Sequence, residues 1–250
     1  MSIQKTLGFI LRREEVRETS LYLRVYTRDF GKINLISKGV RSPEQKFISS
    51  YELFALDEIV FYEKKKKDFF LLSQCELVNF FPTIRESLER LSYAVYFIEL
   101  LDSVTVTGDS NRTLYGLLYN CLGLLSGNAS PKRIARIFEI KLLSELGLMP
   151  RLKFCAGCEN GIKNEKVRFS FSLGGVLCER CFTKDTKAKS VLRGTVNFIS
   201  HIDSMPFERI NQIKVTNKVG SEVESLLKSF IRYHLDIRPK SMEFAEKVGV

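Results

Sequence analysis

Six cysteines punctuate the 250-residue chain, and four of them fall in two tight pairs. The pattern is Cys155-Ala156-Gly157-Cys158, then 19 residues, then Cys178-Glu179-Arg180-Cys181. A C-x-x-C pair can turn two thiolates onto one metal ion, and two such pairs complete a tetrahedral shell. The spacing falls in the zinc-ribbon range. A catalytic zinc keeps one position open for water and usually includes a His or a carboxylate. Four thiolates close the shell, and the two histidines, His201 and His234, are isolated in the sequence. A redox pair would need no second C-x-x-C, and no thioredoxin-like βαβ pattern surrounds this one. The expected centre is therefore one structural Zn2+ per chain, bracing a lobe with little core of its own. Cys75 and Cys121 stand alone in apolar stretches and are expected as buried core thiols.

The elements that must position these residues follow from hydrophobic periodicity. Residues 1–80 read as strands. Leu7–Leu11 is apolar, Leu21–Arg28 alternates with period two, and Lys32–Lys38 follows a turn at Asp29-Phe30-Gly31. Leu53–Tyr62 and Phe69–Leu77 complete five strands around a charged tip, Glu63 to Asp68. Five strands in so short a stretch predict a small closed barrel of the oligonucleotide-binding (OB) type. In its second strand Leu21, Leu23 and Val25 face inward, which leaves Tyr22, Arg24, Tyr26 and Arg28 on the outer face. Alternating Tyr and Arg suit single-stranded nucleic acid, by base stacking and phosphate pairing. Lys38, Arg41 and Lys46 follow strand three, and Lys64, Lys65, Lys66 and Lys67 occupy the tip. Loops of such barrels contact oligonucleotides, although a lysine-rich tip also serves simply to blunt aggregation.

Beyond Phe80-Phe81-Pro82 the period becomes helical. A capping box of Thr83 and Glu86 predicts a helix running to about Val106. Helices are also expected over Asn111–Ser126 and from Ser130-Pro131 to Gly147. Residues 151–182 form the cysteine module, with a strand at Val167–Ser172 and a turn at Gly174-Gly175. A short helix over 190–204 and a capping box of Ser221 and Glu224 end the reading. The expected fold is α+β. It comprises an N-terminal five-stranded OB barrel (1–80) and an α-helical domain (81–250) with an inserted four-cysteine zinc module (151–182).

Charge points toward a polyanion. The net charge of +10 divides into +3, 0 and +7 over residues 1–80, 81–150 and 151–250. Both ends attract nucleic acid, and the neutral middle suits protein contacts. The +7 C-terminal region is expected to offer a second DNA surface. No apolar run approaches the ~18 residues that would cross a bilayer. The first residues lack the apolar core of a signal peptide, so a cytoplasmic, nucleoid-associated protein is expected. No H-x-E, H-E-x-x-H, P-loop or G-x-S-x-G stands out, which argues against an enzyme and against a small-molecule substrate. A zinc-containing RNA-binding accessory factor would share the barrel, the metal and the charge.

The ordered set of segments resembles the RecO family of bacterial recombination mediators. The resemblance rests on Phe9–Arg13, Tyr26–Lys32, Lys38–Ser42, Phe80-Phe81, Leu91–Tyr96, and Phe138–Leu143 followed by Gly147 and Pro150. It continues through the cysteine module and Arg232–Leu235. It implies binding of single- and double-stranded DNA, annealing of complementary strands, and work with RecR. It also implies contact with the acidic, apolar-ended tail of single-stranded DNA-binding protein during RecA loading. It carries Lys38 and Arg41 over as DNA contacts. Arg24, Arg28 and Lys46 come from the strand reading alone, and the lysine tip departs from the family pattern.

Overall fold

The computed structural model describes residues 2–16, 20–38, 51–63, 69–162, 166–213 and 215–248. The fold is mixed α+β. Its contacts group into two compact units, Met1–Pro131 with Pro239–Val250, and Lys132–Arg238. Among the described residues no helix is long and apolar enough to cross a membrane.

The first unit is built on the expected barrel. Its strands are β1 (Ser2–Val16), β2 (Ser20–Thr27), β3 (Gly31–Ser37), β4 (Leu56–Glu63) and β5 (Phe70–Asn79). They close in the order β1-β2-β3-β5-β4, with β3 and β5 parallel and the other pairs antiparallel. β1 is much longer than its apolar run because it serves two neighbours. Ser2–Phe9 pairs with β4 and Gly8–Val16 with β2, and an irregularity between Ile10 and Arg12 bends the strand. The inward residues of each strand fill the barrel, among them Ile10, Leu23, Val25, Ile33, Ile59 and Phe61. Each such side chain contributes about 2 kcal/mol by leaving water. β4 starts later than its apolar run, since Phe54 adopts a left-handed backbone (φ 52°) in a turn closed from Ala55 N–H to Glu52 O. Gly31 turns the chain between β2 and β3 at φ +63°, where a Cβ would lie 2.0 Å from the Asp109 carbonyl oxygen.

The outward face of β2 is not the open strip its alternation predicts. Tyr26 is fully buried, and its hydroxyl donates to the Asn111 carbonyl at 3.3 Å. Alternation determines which side of a strand a residue leaves, not what later covers that side. Here helices cover it.

Helix α1 (Pro82–Arg85) is a single turn, and α2 (Leu88–Val104) begins after a break. The predicted capping box at Thr83 and Glu86 is absent. Glu86 ends α1, and the extended Ser87 caps α2 by accepting the Arg90 N–H. Asn111 caps α3 (Arg112–Ser126) through the N–H groups of Thr113 and Leu114. A further helix, α7 (Lys240–Val248), packs on α2, although no periodicity announced it. The Glu99 carboxylate of α2 accepts both the Lys240 N–H (2.8 Å) and the Ser241 N–H (3.1 Å).

The second unit holds α4 (Pro131–Glu145), β6 (Val167–Ser170), β7 (Gly175–Leu177), β8 (Lys189–Val191), α5 (Arg193–Ser204) and α6 (Asn217–Leu235). The strands make an antiparallel sheet in the order β7-β6-β8. The helix expected over 190–204 divides into β8 and α5. Leu192 carries no capping oxygen, so Glu222 of α6 accepts its N–H at 2.8 Å. Ser221 and Glu224 do not cap α6, because it begins four residues earlier with Thr216 as its cap. Glu224 instead pairs with Lys228 one turn on, at 2.9 Å. The Arg136–Glu139 pair of α4 is buried at 2.9 Å, and α6 packs Phe230 edge-on to Phe169 of β6.

Candidate metal centre and nucleic-acid interface

The two C-x-x-C segments are brought together by the small sheet. Gly175 opens β7 in bridge contact with Arg151, so close that a Cβ there would lie 2.4 Å from the Arg151 carbonyl oxygen. This fixes the chain just ahead of Cys155 against the strand that leads to Cys178. The first pair turns tightly, with Glu159 N–H donating to Cys155 O at 2.8 Å. The second sits at the start of a short 3-10 segment, Glu179–Lys184, where Cys181 N–H donates to Cys178 O. The result is four free thiols, Cys155, Cys158, Cys178 and Cys181, whose sulfurs all lie within 4.8 Å of one another.

That arrangement fits a metal ion. Four sulfurs about 2.3 Å from a shared centre at tetrahedral angles stand ~3.8 Å apart. Cys158 Sγ and Cys178 Sγ are separated by 3.8 Å. Backbone N–H groups already address the Cys155 sulfur, from Gly157 at 3.4 Å and Cys178 at 3.3 Å. Burial alone would raise the Cys155 thiol, but the N–H donors outweigh it and hold it below the ordinary range, while burial and the neighbouring cysteines push Cys181 the other way. The thiolate that a metal requires is thereby favoured at Cys155. The lone cysteines differ. Cys121 is fully buried and Cys75 half-buried, and burial pushes both thiols well up, leaving them inert.

On the barrel, Lys38 is exposed just past the end of β3. Arg28 is exposed beside Asp29 at 3.2 Å, and Asp29 also accepts from Thr6 and Arg112 at 2.9 and 2.8 Å. Burial opposes ionisation of Asp29, yet these donors hold its carboxyl below the usual range. Arg24 is half-buried, with Nη1 3.0 Å from Asp102 Oδ2. Arg41, Lys46, Lys64, Lys65, Lys66 and Lys67 lie outside the described residues.

Sequence reasoning missed the partner of Arg24. Asp102 also receives buried Lys32, through its carboxylate at 3.1 Å and its carbonyl at 2.5 Å. The clamp ties β2 and β3 to the C-terminal turn of α2, where cations are favoured. Asp102 stands 70 or more residues from both cations, so no local motif could reveal it. A cavity of about 280 Å3 in the second unit was equally hidden. Met149, Pro150, Leu152 and Phe154 give it apolar walls, and Arg151, Lys153 and Asp203 are among its lining residues, Arg151 being paired with Glu159 at 3.4 Å.

Comparison with known proteins agrees with this architecture. A family model described as Recombination protein O N terminal matches residues 1–81. A second, Recombination protein O C terminal, matches residues 85–243. A protein of Desulforamulus reducens named DNA repair protein RecO is 33% identical over 249 residues, covering 99% of this chain and 96% of its own. One of the same name from Alkaliphilus metalliredigens is 33% identical over 246 residues, covering 98% and 99%. Another, from Pelotomaculum thermopropionicum, is 31% identical, covering 100% and 96%. The chain belongs to the RecO family and is a protein of DNA repair and recombination.

Proposed function

We propose that the protein is a recombination mediator that anneals complementary DNA strands by binding, with no catalytic step of its own. Family membership together with a basic OB barrel carries this reading. Cations on the barrel neutralise phosphates, and displaced counterions supply the driving force. The contacts we assign are Lys38, Arg41 and Lys46, which follow β3 in the chain, and Arg28 on the turn that precedes it. We assign the tip lysines Lys64, Lys65 and Lys66 as well, and Arg24, whose charge Asp102 partly counters. Single- and double-stranded DNA both offer the phosphates these groups need.

The metal is proposed to be Zn2+, since an all-sulfur tetrahedral set suits a closed-shell ion with no preferred geometry. Cys155, Cys158, Cys178 and Cys181 would hold it, and its contribution is to hold the lobe together. Working in the cytoplasm, the protein would cooperate with RecR in RecA loading on DNA coated with single-stranded DNA-binding protein. The cavity beside Phe154 supports a contact with that protein's tail. Its apolar walls would take the tail's apolar end, and Arg151 and Lys153 would face the acidic residues.

The test is ATP-free annealing of complementary oligonucleotides across a salt series, using the unmodified chain and a Lys38→Ala, Arg41→Ala double variant. The unmodified chain should accelerate annealing, with binding that weakens steeply as salt rises. The double variant should bind more weakly, with a salt slope shallower by about 2. Unchanged affinity and slope in a folded double variant would remove both residues from the surface.

A further inference from the structure

The second unit exposes an aromatic shelf that packing alone does not require. Phe169 and Phe230 are buried at the interface of β6 and α6, and their contact continues outward through Phe171, Tyr233 and His234. Phe171 and Tyr233 have ring centroids 6.3 Å apart, and Tyr233 and His234 5.0 Å apart. His234 Nε2 lies 3.1 Å from the Phe171 carbonyl oxygen, which fixes the imidazole against the turn. Tyr233 nevertheless leaves 58% of its surface in water, beside the two rings it touches. Lys189 pairs with Phe169 in register, leaves the same face of the sheet, and places Nζ 5.7 Å from the Phe171 ring centroid.

The chain segment that carries Phe171 and Lys189 is basic. Residues 166–191 hold six Lys or Arg against two acidic residues, Glu179 and Asp185. Asp185 is already engaged by the hydroxyls of Ser170 and Ser172 and by the Lys187 N–H. Pre-ordered rings with cations at the rim match a single strand, whose bases stack while its phosphates pair. A protein partner would instead call for a contiguous apolar patch depleted of charge at its centre.

We propose that Phe171, Lys189, Tyr233 and His234 form a second surface for single-stranded DNA, on the unit that carries the four cysteines. The inference rests on the annealing function and assigns it two holding sites, one on the barrel and one on this shelf. One strand occupies each, so the encounter of strands takes place on a single protein.

The experiment uses the full chain with a single-stranded oligonucleotide carrying 5-iodouracil. Irradiation should cross-link the base to the shelf, with the modified peptide containing Tyr233. A Lys189→Ala, Tyr233→Ala variant should lose that cross-link and anneal about tenfold more slowly, as removal of one stacking contact implies. Tyr233→Phe should keep near-normal annealing, because it keeps the ring. Lys189→Glu, an exposed change that leaves the core alone, provides a second variant and should slow annealing too. Cross-links confined to the barrel, with annealing by both variants at the unmodified rate, would overturn the proposal. So would unchanged oligonucleotide binding accompanied by lost RecR binding, which would make the shelf a protein contact. If the unmodified chain does not anneal at all, the parent reading fails, and the cross-link alone then decides the shelf.

Discussion

At the scale of single residues, Asp57 is a carboxyl held far from its solution behaviour. It lies on β4 with no exposed surface, and neither carboxyl oxygen has a hydrogen-bond partner among the described residues. Burial raises its pKa from 3.8 to about 8, and Tyr51 and Cys75 lie near enough to feel its charge. The folded carboxyl therefore keeps its proton over a range in which the unfolded one has lost it. Between about pH 4 and pH 8 the folded state binds the extra proton, so stability falls as pH rises through that window and levels off above it. Asp57→Asn should flatten this component. Thermal melts from pH 5 to pH 8 should show a smaller decline in Tm for the variant, and parallel profiles would mean that the native carboxyl is ionised.

At the scale of elements, some helix ends are capped from the chain beside them and others from a distance. Ser87, Asn111 and Thr216 are local caps with recognisable residue types. α5 is capped by Glu222 of α6, and α7 by Glu99 of α2. Glu99→Ala should release two N–H groups at the start of α7, at a cost of about 1 kcal/mol. Amide exchange over 240–248 should accelerate while exchange in the barrel strands stays unchanged. Equal protection of α7 in both proteins would show that apolar packing on α2 is sufficient.

At the scale of the whole molecule, two compact units depend on different forces. The barrel closes its own hydrogen-bond ladder around an apolar interior. The cysteine lobe has three strands of four residues or fewer, and its sulfurs sit where a core would otherwise be. Metal removal should therefore act on one unit. Purified without added metal, the chain should carry about one equivalent of zinc. A strong chelator should make residues 151–191 the first site of proteolysis and leave the barrel intact. Substoichiometric zinc with all four thiols freely titratable, or proteolysis unaffected by the chelator, would separate the cysteine cluster from any structural metal.

The barrel, the main helices and the four clustered cysteines were legible in the sequence. Each of these is written in short-range spacing: period two for strands, 3.6 for helices, C-x-x-C for a turn that presents two sulfurs. Even there, local signals named the wrong caps at Thr83 and Ser221, because a capping pattern carries no information about where neighbouring elements pack. What covers each face came from packing between distant elements. That packing buried Tyr26 under the start of α3 and set Arg24 beside Lys32 on Asp102. It also docked α7 on Glu99 and left Tyr233 open to water. Those outcomes depend on residues tens of positions apart meeting across a packed interface, and linear periodicity does not encode such meetings. The four cysteines fall between the two cases: their spacing named the chemistry, and the sheet that holds Arg151 against Gly175 brought the two pairs within reach of one ion.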